Sequence, residues 1–212
     1  MAPGLQFEGT GTYNTTVTVL LAHAKAFRVY DAKYRMSQRG KVGITLNCDW
    51  GEAKDQSPEN LSAQTRYMQW YIGIFAHPIF LGDFPKVIKD MVEKKSKEQK
   101  YRKSRLPRLS SEDVALIKGT ADFLGLNHYT TRMVEAASQH MGNMVEEIEH
   151  EYTGNYHDDS DVHAYKKLKN METRGFYSFR FETLLTFFTP THPGQKPALL
   201  GCKLSLGVSK NY

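Results

Sequence analysis

GTADFLGLNHYTTR, residues 119–132, is the stretch on which the fold turns. Phe123, Leu124 and Leu126 make a short apolar run among small neighbours, and Asn127, His128, Tyr129, Thr130, Thr131 and Arg132 follow with no turn signal between. That pattern predicts a buried strand delivering polar side chains at its C-terminal end. Asn127 and Tyr129 lie two apart and share one face of such a strand, whereas His128 points the other way unless the strand has already bent.

Upstream, VGITLNCDW (residues 42–50) repeats the design, a β-branched apolar strand with a polar end at Asn47 and Asp49. Helical stretches separate the two. In VTVLLAHAKAFRVYDAKYR the residues Val19, Ala22, Ala26, Val29 and Tyr30 recur at helical spacing, with Lys25, Arg28 and Lys33 for a wet face. Ser57-Pro58 opens SPENLSAQTRYMQWYIGIFAHPIF, which Pro78 is expected to stop, and Pro85 opens PKVIKDMVEKKSKEQ. SSEDVALIKG is a short helix with acids in its first turn and Gly119 as its end. Helix, strand, helices, strand, with strands that turn polar only at their ends, predicts parallel β/α units whose working residues sit at those ends.

After about residue 134 the sequence changes character. Residues 135–175 are polar with weak periodicity and yield no clean strand, GFYSFRFETLLTFFTP (175–190) is a strand or short helix, and residues 191–212 offer no readable caps or period. The predicted organisation is therefore 1–135 as the β/α segment and 136–212 as a divergent tail.

Composition narrows the function classes. Hydrophobic residues at 40% and 23 Phe plus Tyr are enough material for a packed core. A net charge of +5 arises from 28 basic against 23 acidic residues, without the aromatic pattern of a nucleic-acid module, so no nucleic-acid partner is expected. The run Lys86–Arg108 is read as a solvated helix face rather than an anionic docking patch, because Asp90, Glu93 and Glu98 interrupt it. Cys48 and Cys202 permit at most one bridge. No apolar run is long enough to span a membrane and no signal peptide is read, which leaves the compartment open, cytosolic or extracellular. Asn14-Thr15-Thr16 and Asn60-Leu61-Ser62 fit the glycosylation acceptor rule.

Two groups of residues suggest chemistry. Asn127 and Tyr129 pair an amide with a phenol, suited to a sugar hydroxyl or a carboxylate and equally open to a structural role, with Arg132 within reach of the same mouth. Trp50 with Asp49 and Glu52 has the composition of a sugar subsite, since an indole face stacks on pyranose C–H groups while carboxylates accept hydroxyl protons; an exposed acidic loop would look the same. His150, His157, Asp158, Asp159, Asp161 and His163 match no metal spacing and are read as a polar loop. No phosphate-cradling glycine loop or serine nucleophile elbow occurs, and neither metal nor cofactor is expected.

GTGTY (9–13), LLAHAKAFRVY (20–30), VGITLNCDWGEAKD (42–55), FAHPIFLGDFP (75–85) and SRLPRLSSEDVALIKGTADFLGLNHYTT (104–131) together resemble glycoside hydrolase family 1, the β-glucosidase family, in its lactase-like and Klotho-like branch. The resemblance covers about the first 135 residues. It implies a (β/α)8 barrel, here a middle segment in which residues 42–48 resemble the fifth strand and residues 121–129 the sixth. It also implies retaining cleavage of β-glycosides by two glutamates, one an acid then base and the other the nucleophile. In the family these lie in an NEP motif ending the fourth strand and an ITENG-like motif ending the seventh, and neither string occurs in the 212 residues.

No catalytic residue is therefore assigned, and the complete parent rather than this chain is expected to hydrolyse. The alternatives are an inactive carbohydrate-binding or interaction fragment, or an incomplete gene model. Asn127 and Tyr129 fall on the family's NYYT-like motif, whose tyrosine supports the nucleophile; with Trp50 and Glu52 they are the candidate sugar-cleft residues. Ala53 replaces the proline usual after that glutamate, and Val17-Thr18 replace a His-Asn pair. The expected partners are a β-glycoside, should the cleft be completed, and a protein that covers the open barrel edges left by a middle segment.

Overall fold

A computed structural model describes residues 9–137, 159–166 and 203–207. The chain enters through the long helix α1 (Gly11–Lys33) and a single turn, α2 (Arg35–Gln38), which ends with Arg39 in the left-handed region at φ 53°. β1 (Ile44–Asn47) and β2 (Trp50–Ala53) are two legs of one extended stretch. α3 (Pro58–Met68), a π-helical turn (Gln69–Gly73) and α4 (Ile74–Leu81) form one continuous helical arm, followed by α5 (Lys86–Glu98) and α6 (Ser111–Ile117). β3 (Phe123–Asn127) and β4 (Thr131–Ala136) are again two legs of one stretch, and β5 (Val162–Lys166) and β6 (Lys203–Gly207) complete the described strands.

The caps are those the sequence announces. Ser57 accepts from the Asn60 N–H with Pro58 in the first turn, and Ser110 with Asp113 makes a reciprocal capping box. Pro78, however, does not stop its helix. It lies inside α4, and Gly82, at φ 99°, makes the stop by giving its N–H to the His77 and Pro78 carbonyls. The wider π turn just before α4 departs from the i→i−4 pattern into which a proline ring clashes.

The strands build two three-stranded sheets. In the first, β3 lies between β1 and β6, all parallel, with Ile44 opposite Leu124 and Asn47 opposite Asn127. In the second, β4 lies between β2, to which it is parallel, and β5, which runs antiparallel. β5 and β6 fall in the region where the sequence offered no readable strand; the signal was weak because each is five residues long and set in polar or unpatterned chain. Residues 175–190 lie outside the described residues.

The core gathers Ile44, Leu124 and Leu126 from the first sheet with Leu20 and Ala24 of α1, Met68, Trp70, Ile72, Ile74 and Ile79 of the helical arm, Ile88 and Val92 of α5 and Ile117 of α6. α1 reaches it through Tyr13, Thr16, Leu20, Ala24 and Phe27. This corrects the face predicted from sequence, because Val19 and Val29 are 42% and 48% exposed. Both stripes have helical period, and periodicity alone cannot say which one meets the sheet.

At the N-terminal end of the strands Asp122 accepts from Arg35 Nη1 and from the Val42 N–H, both at 2.8 Å, tying α2 to the entry of β1. Farther round, Arg105 and Asp159 form a completely buried ion pair, and the Tyr13 hydroxyl donates to Asp159 at 2.6 Å. Arg105 also gives Nη1 to the Gly9 carbonyl at 3.0 Å. Asp159, three residues before β5, is thus tied both to α1 and to the loop that precedes α6.

Candidate functional site

The two long stretches run side by side with a register change at their polar ends. Asn47 is opposite Asn127 but Trp50 is opposite Thr131, so two residues, Cys48 and Asp49, face three, His128, Tyr129 and Thr130. Backbone pairing survives across this step: the Cys48 N–H donates to the Asn127 carbonyl at 2.9 Å and the Trp50 N–H to the Thr130 carbonyl at 3.1 Å. One extra residue on one strand bends it and re-aims its side chains. Tyr129 is accordingly thrown outward, 60% exposed.

Side chains brace the step. Asn127 Nδ2 donates to Asn47 Oδ1 at 2.9 Å, His128 Nδ1 sits 2.9 Å from the Cys48 carbonyl and carries the proton there, and Arg132 Nε donates to Asp49 Oδ2 at 3.2 Å. Just beyond it the Trp50 indole N–H donates to Glu52 Oε2 at 2.8 Å. These two share a face of β2 because Gly51 between them faces the other way, where a Cβ would lie 2.5 Å from the Tyr67 ring. The Gly51 N–H points to Met68 Sδ at 3.4 Å and its carbonyl accepts from Gln64 Nε2 at 2.6 Å. Packing of this glycine on α3 is what turns Trp50 and Glu52 away from the helix.

Chemically, the site is a cluster of polar and aromatic groups. It offers an amide pair, an exposed phenol and an indole held by a carboxylate, all suited to hydroxyls and to the apolar face of a sugar ring. The one thiol in it is inert: burial first, and the Asp49 charge second, push Cys48 up to about 12. Burial likewise pushes the Tyr67 phenol up, helped by Tyr71 and Asp49.

Of the four residues proposed from sequence, Asn127 joins Asn47, Trp50 joins Glu52, and Tyr129 stands at the step between the two pairs. Asn47 was legible only as the polar end of a strand. Its role as partner to Asn127 needs the register, which a single strand does not reveal. The other motifs find plain uses. Asn60 is fully buried, bridging Asp55 and the Ala136 N–H, and so is closed to glycosylation. Lys86, Lys89, Lys94 and Lys97 pair with Asp90, Asp83, Glu98 and Glu93, respectively. Asp159 is committed to Arg105, and no metal-holding group of His, Cys, Asp or Glu gathers among the described residues. His150, His157 and Asp158 lie outside them.

Parallel strands flanked by helices, with their polar residues at the C-terminal ends, define this as a segment of a β/α barrel. Comparison with known proteins makes the assignment specific. The family model for glycosyl hydrolase family 1 matches residues 1–186, and the chain belongs to that family.

The lactase-like protein of Homo sapiens is 51% identical over 134 residues, 63% of this chain and 24% of its own length. Lactase/phlorizin hydrolase of Homo sapiens is 37% identical over 139 residues, 65% of this chain and 7% of its own length. Among solved structures, an aphid myrosinase superposes with a TM-score of 0.69 at 32% identity, covering 81% of this chain and 36% of that one. A rice β-glucosidase superposes at 0.63 and 28% identity, covering 76% and 30%. The chain thus spans about a quarter of the lactase-like relative and about a third of the solved barrels.

Proposed function

We propose that the chain forms one wall of the β-glycoside cleft of a retaining β-glycosidase and has no hydrolytic activity by itself. The observation that carries this is the Asn127–Asn47 amide pair, 2.9 Å apart at the C-terminal ends of adjacent parallel strands. That is where active sites of β/α barrels are built, and the exposed Tyr129 stands two residues on from Asn127. Trp50, held by Glu52, extends the wall with a stacking face. Relatives named lactase/phlorizin hydrolase and cytosolic β-glucosidase support a β-linked sugar as the ligand class.

Retaining hydrolysis needs two carboxylates about 5 Å apart. β6 pairs with β3 on the side away from β1, where a seventh barrel strand would lie, and neither β6 nor the residues after it contain Asp or Glu. This supports a sugar-binding wall without a nucleophile, completed only in a longer parent. The division into a barrel segment, 1–135, and a divergent tail, 136–212, belongs to the same reading.

Intrinsic fluorescence tests it. The two tryptophans differ, with Trp70 only 4% exposed and Trp50 half-buried at the wall. Titration with cellobiose is expected to quench Trp50, and Asn127→Ala is expected to weaken binding about tenfold, the loss of about one charge-free hydrogen-bond pair. An aryl β-glucoside is expected to go unhydrolysed. Turnover that survives purification would defeat the claim of inactivity, and a flat titration would defeat the cleft.

A further inference from the structure

We propose that Asn14 is the N-glycan acceptor of this chain, modified before α1 forms, and that the fold excludes a glycan at the second acceptor triplet, Asn60-Leu61-Ser62. The inference stands apart from the sugar-cleft reading, since it concerns a sugar attached to the chain and not one bound by it.

The acceptor rule admits both triplets equally, and the structure separates them. Asn14 is exposed and lies roughly 120° round the axis of α1 from the buried stripe of Tyr13, Thr16, Leu20, Ala24 and Phe27. Thr18 hydrogen-bonds the Asn14 carbonyl at 3.0 Å, and no hydrogen bond holds the Asn14 side chain among the described residues. Its neighbours one turn away include Thr10, Gly11 and Thr18, all small, so a bulky group on its amide finds room. Asn60 is the opposite case. It is 0% exposed, its amide nitrogen donates to Asp55 at 3.0 Å, and its oxygen accepts from the Ala136 N–H at 3.0 Å. A close-packed interior has no space for a sugar on that nitrogen, which would force β4 away from α3.

The timing follows from the helix. An enzyme that reads the amide and the hydroxyl of the triplet together needs both on one face. Residues two apart share a face in an extended chain but stand about 200° apart on a helix. In α1 the Thr16 hydroxyl is also occupied, donating to the Thr12 carbonyl at 3.0 Å from a residue 3% exposed. The folded helix therefore hides half of the acceptor, and transfer belongs to the chain before it folds. The step balances without an oxidant. The Asn14 amide nitrogen bonds to the anomeric carbon of a lipid-linked oligosaccharide diphosphate, the bond from that carbon to the diphosphate oxygen breaks, and the nitrogen gives up one proton as the lipid diphosphate departs. Folding then sorts the products, keeping molecules modified at Asn14 and rejecting those modified at Asn60.

The test is translation of the full chain, carrying an appended secretion leader, with microsomes that hold the donor, followed by limited proteolysis and peptide mass mapping after treatment with peptide N-glycosidase. Asn14 is expected to carry a glycan, and Thr16→Ala to lose it entirely although residue 14 is unchanged. Asn14→Gln is expected to lose it too, while unfolding at the urea midpoint of the unglycosylated parent. Ser62→Ala removes the second acceptor without touching the bonds of Asn60 to Asp55 and Ala136, and is expected to leave the Asn14 glycan in place. In the protease-resistant fraction Asn60 is expected bare. Chain folded before it meets detergent-opened microsomes is expected to stay unmodified, whereas a free peptide of residues 10–18, too short to hold a helix alone, is modified in the same tube. The proposal is overturned by a bare Asn14 in chain that has reached the lumen, by a glycan on Asn60 in the resistant fraction, or by folded chain modified as fully as the peptide.

Discussion

The two sheets share the same pair of extended stretches and meet at the Cys48–Asp49 step, yet they are held by opposite means. The first, β1-β3-β6, rests Ile44, Leu124 and Leu126 on a broad apolar layer, with β1 as its edge strand among the described residues. The second, β2-β4-β5, has a small apolar cluster of Ala63, Val134 and Ala136, and depends on buried polar groups instead. Asn60 supplies a side-chain bond to the Ala136 N–H, Lys54 pairs with Glu135 at 2.6 Å, and the Arg105–Asp159 pair anchors the approach to β5. Apolar burial is tolerant of detail, whereas a buried polar contact fails as soon as one partner is lost. The first sheet should bend under mutation where the second should break.

The buried ion pair gives the largest expected effect. Asp159→Ala leaves Arg105 charged and enclosed and orphans the Tyr13 hydroxyl, so a loss on the order of 3–5 kcal/mol is expected in urea unfolding. Replacing both members, Arg105→Met with Asp159→Leu, is expected to recover much of it, because no charge is then stranded. Lys89→Ala, which breaks an exposed pair with Asp83, is expected to cost about 1 kcal/mol or less. Should Asp159→Ala prove as mild as Lys89→Ala, the contrast between the sheets would collapse.

A second substitution sharpens the comparison at one residue type. Asn60→Ala removes the fully buried amide by which α3 holds β4 and leaves the Ala136 N–H without its acceptor, for an expected loss of about 1–3 kcal/mol. Asn47→Ala removes an exposed amide from the first sheet and is expected to stay within about 0.5 kcal/mol. Paired thermal melts decide it.

The same difference governs what the sequence reveals. The first sheet was legible because its signals are local: an apolar run, a polar end, a Ser-Pro or Ser-Glu-Asp helix start. Trp50, Glu52, Asn127 and Tyr129 could be picked out because each ends such a run. The second sheet was not, since β4 continues β3 across a step that no turn residue announces, and β5 pairs with it from beyond residue 159. The step itself, two residues facing three, belongs to neither strand alone, so the exposure of Tyr129 and the Asn47–Asn127 contact could not be read from either. In α1 the period was plain and the buried stripe was not, because both faces are apolar and only the neighbours choose between them.

The smallest effect lies at the foot of the first sheet and tests whether that sheet too has one specific polar tie. Burial works against the Asp122 charge, but the Val42 N–H, the Arg35 guanidinium and, more weakly, Lys41 outweigh it and hold the carboxyl below its usual range. A carboxylate depressed on folding contributes stability that is fully present above its unfolded pKa, about 3.9, and is lost as pH falls through the lower folded value. Asp122→Asn should therefore unfold more readily than the parent at pH 7, with the gap narrowing below about pH 4. Asp55, Glu93 and Glu112, also depressed, titrate alike in both proteins and cancel in the difference. A gap constant from pH 7 to pH 3 would mean that Asp122 acts through its shape and its bond to Val42 alone, making the first sheet as indifferent to charge as its apolar face suggests.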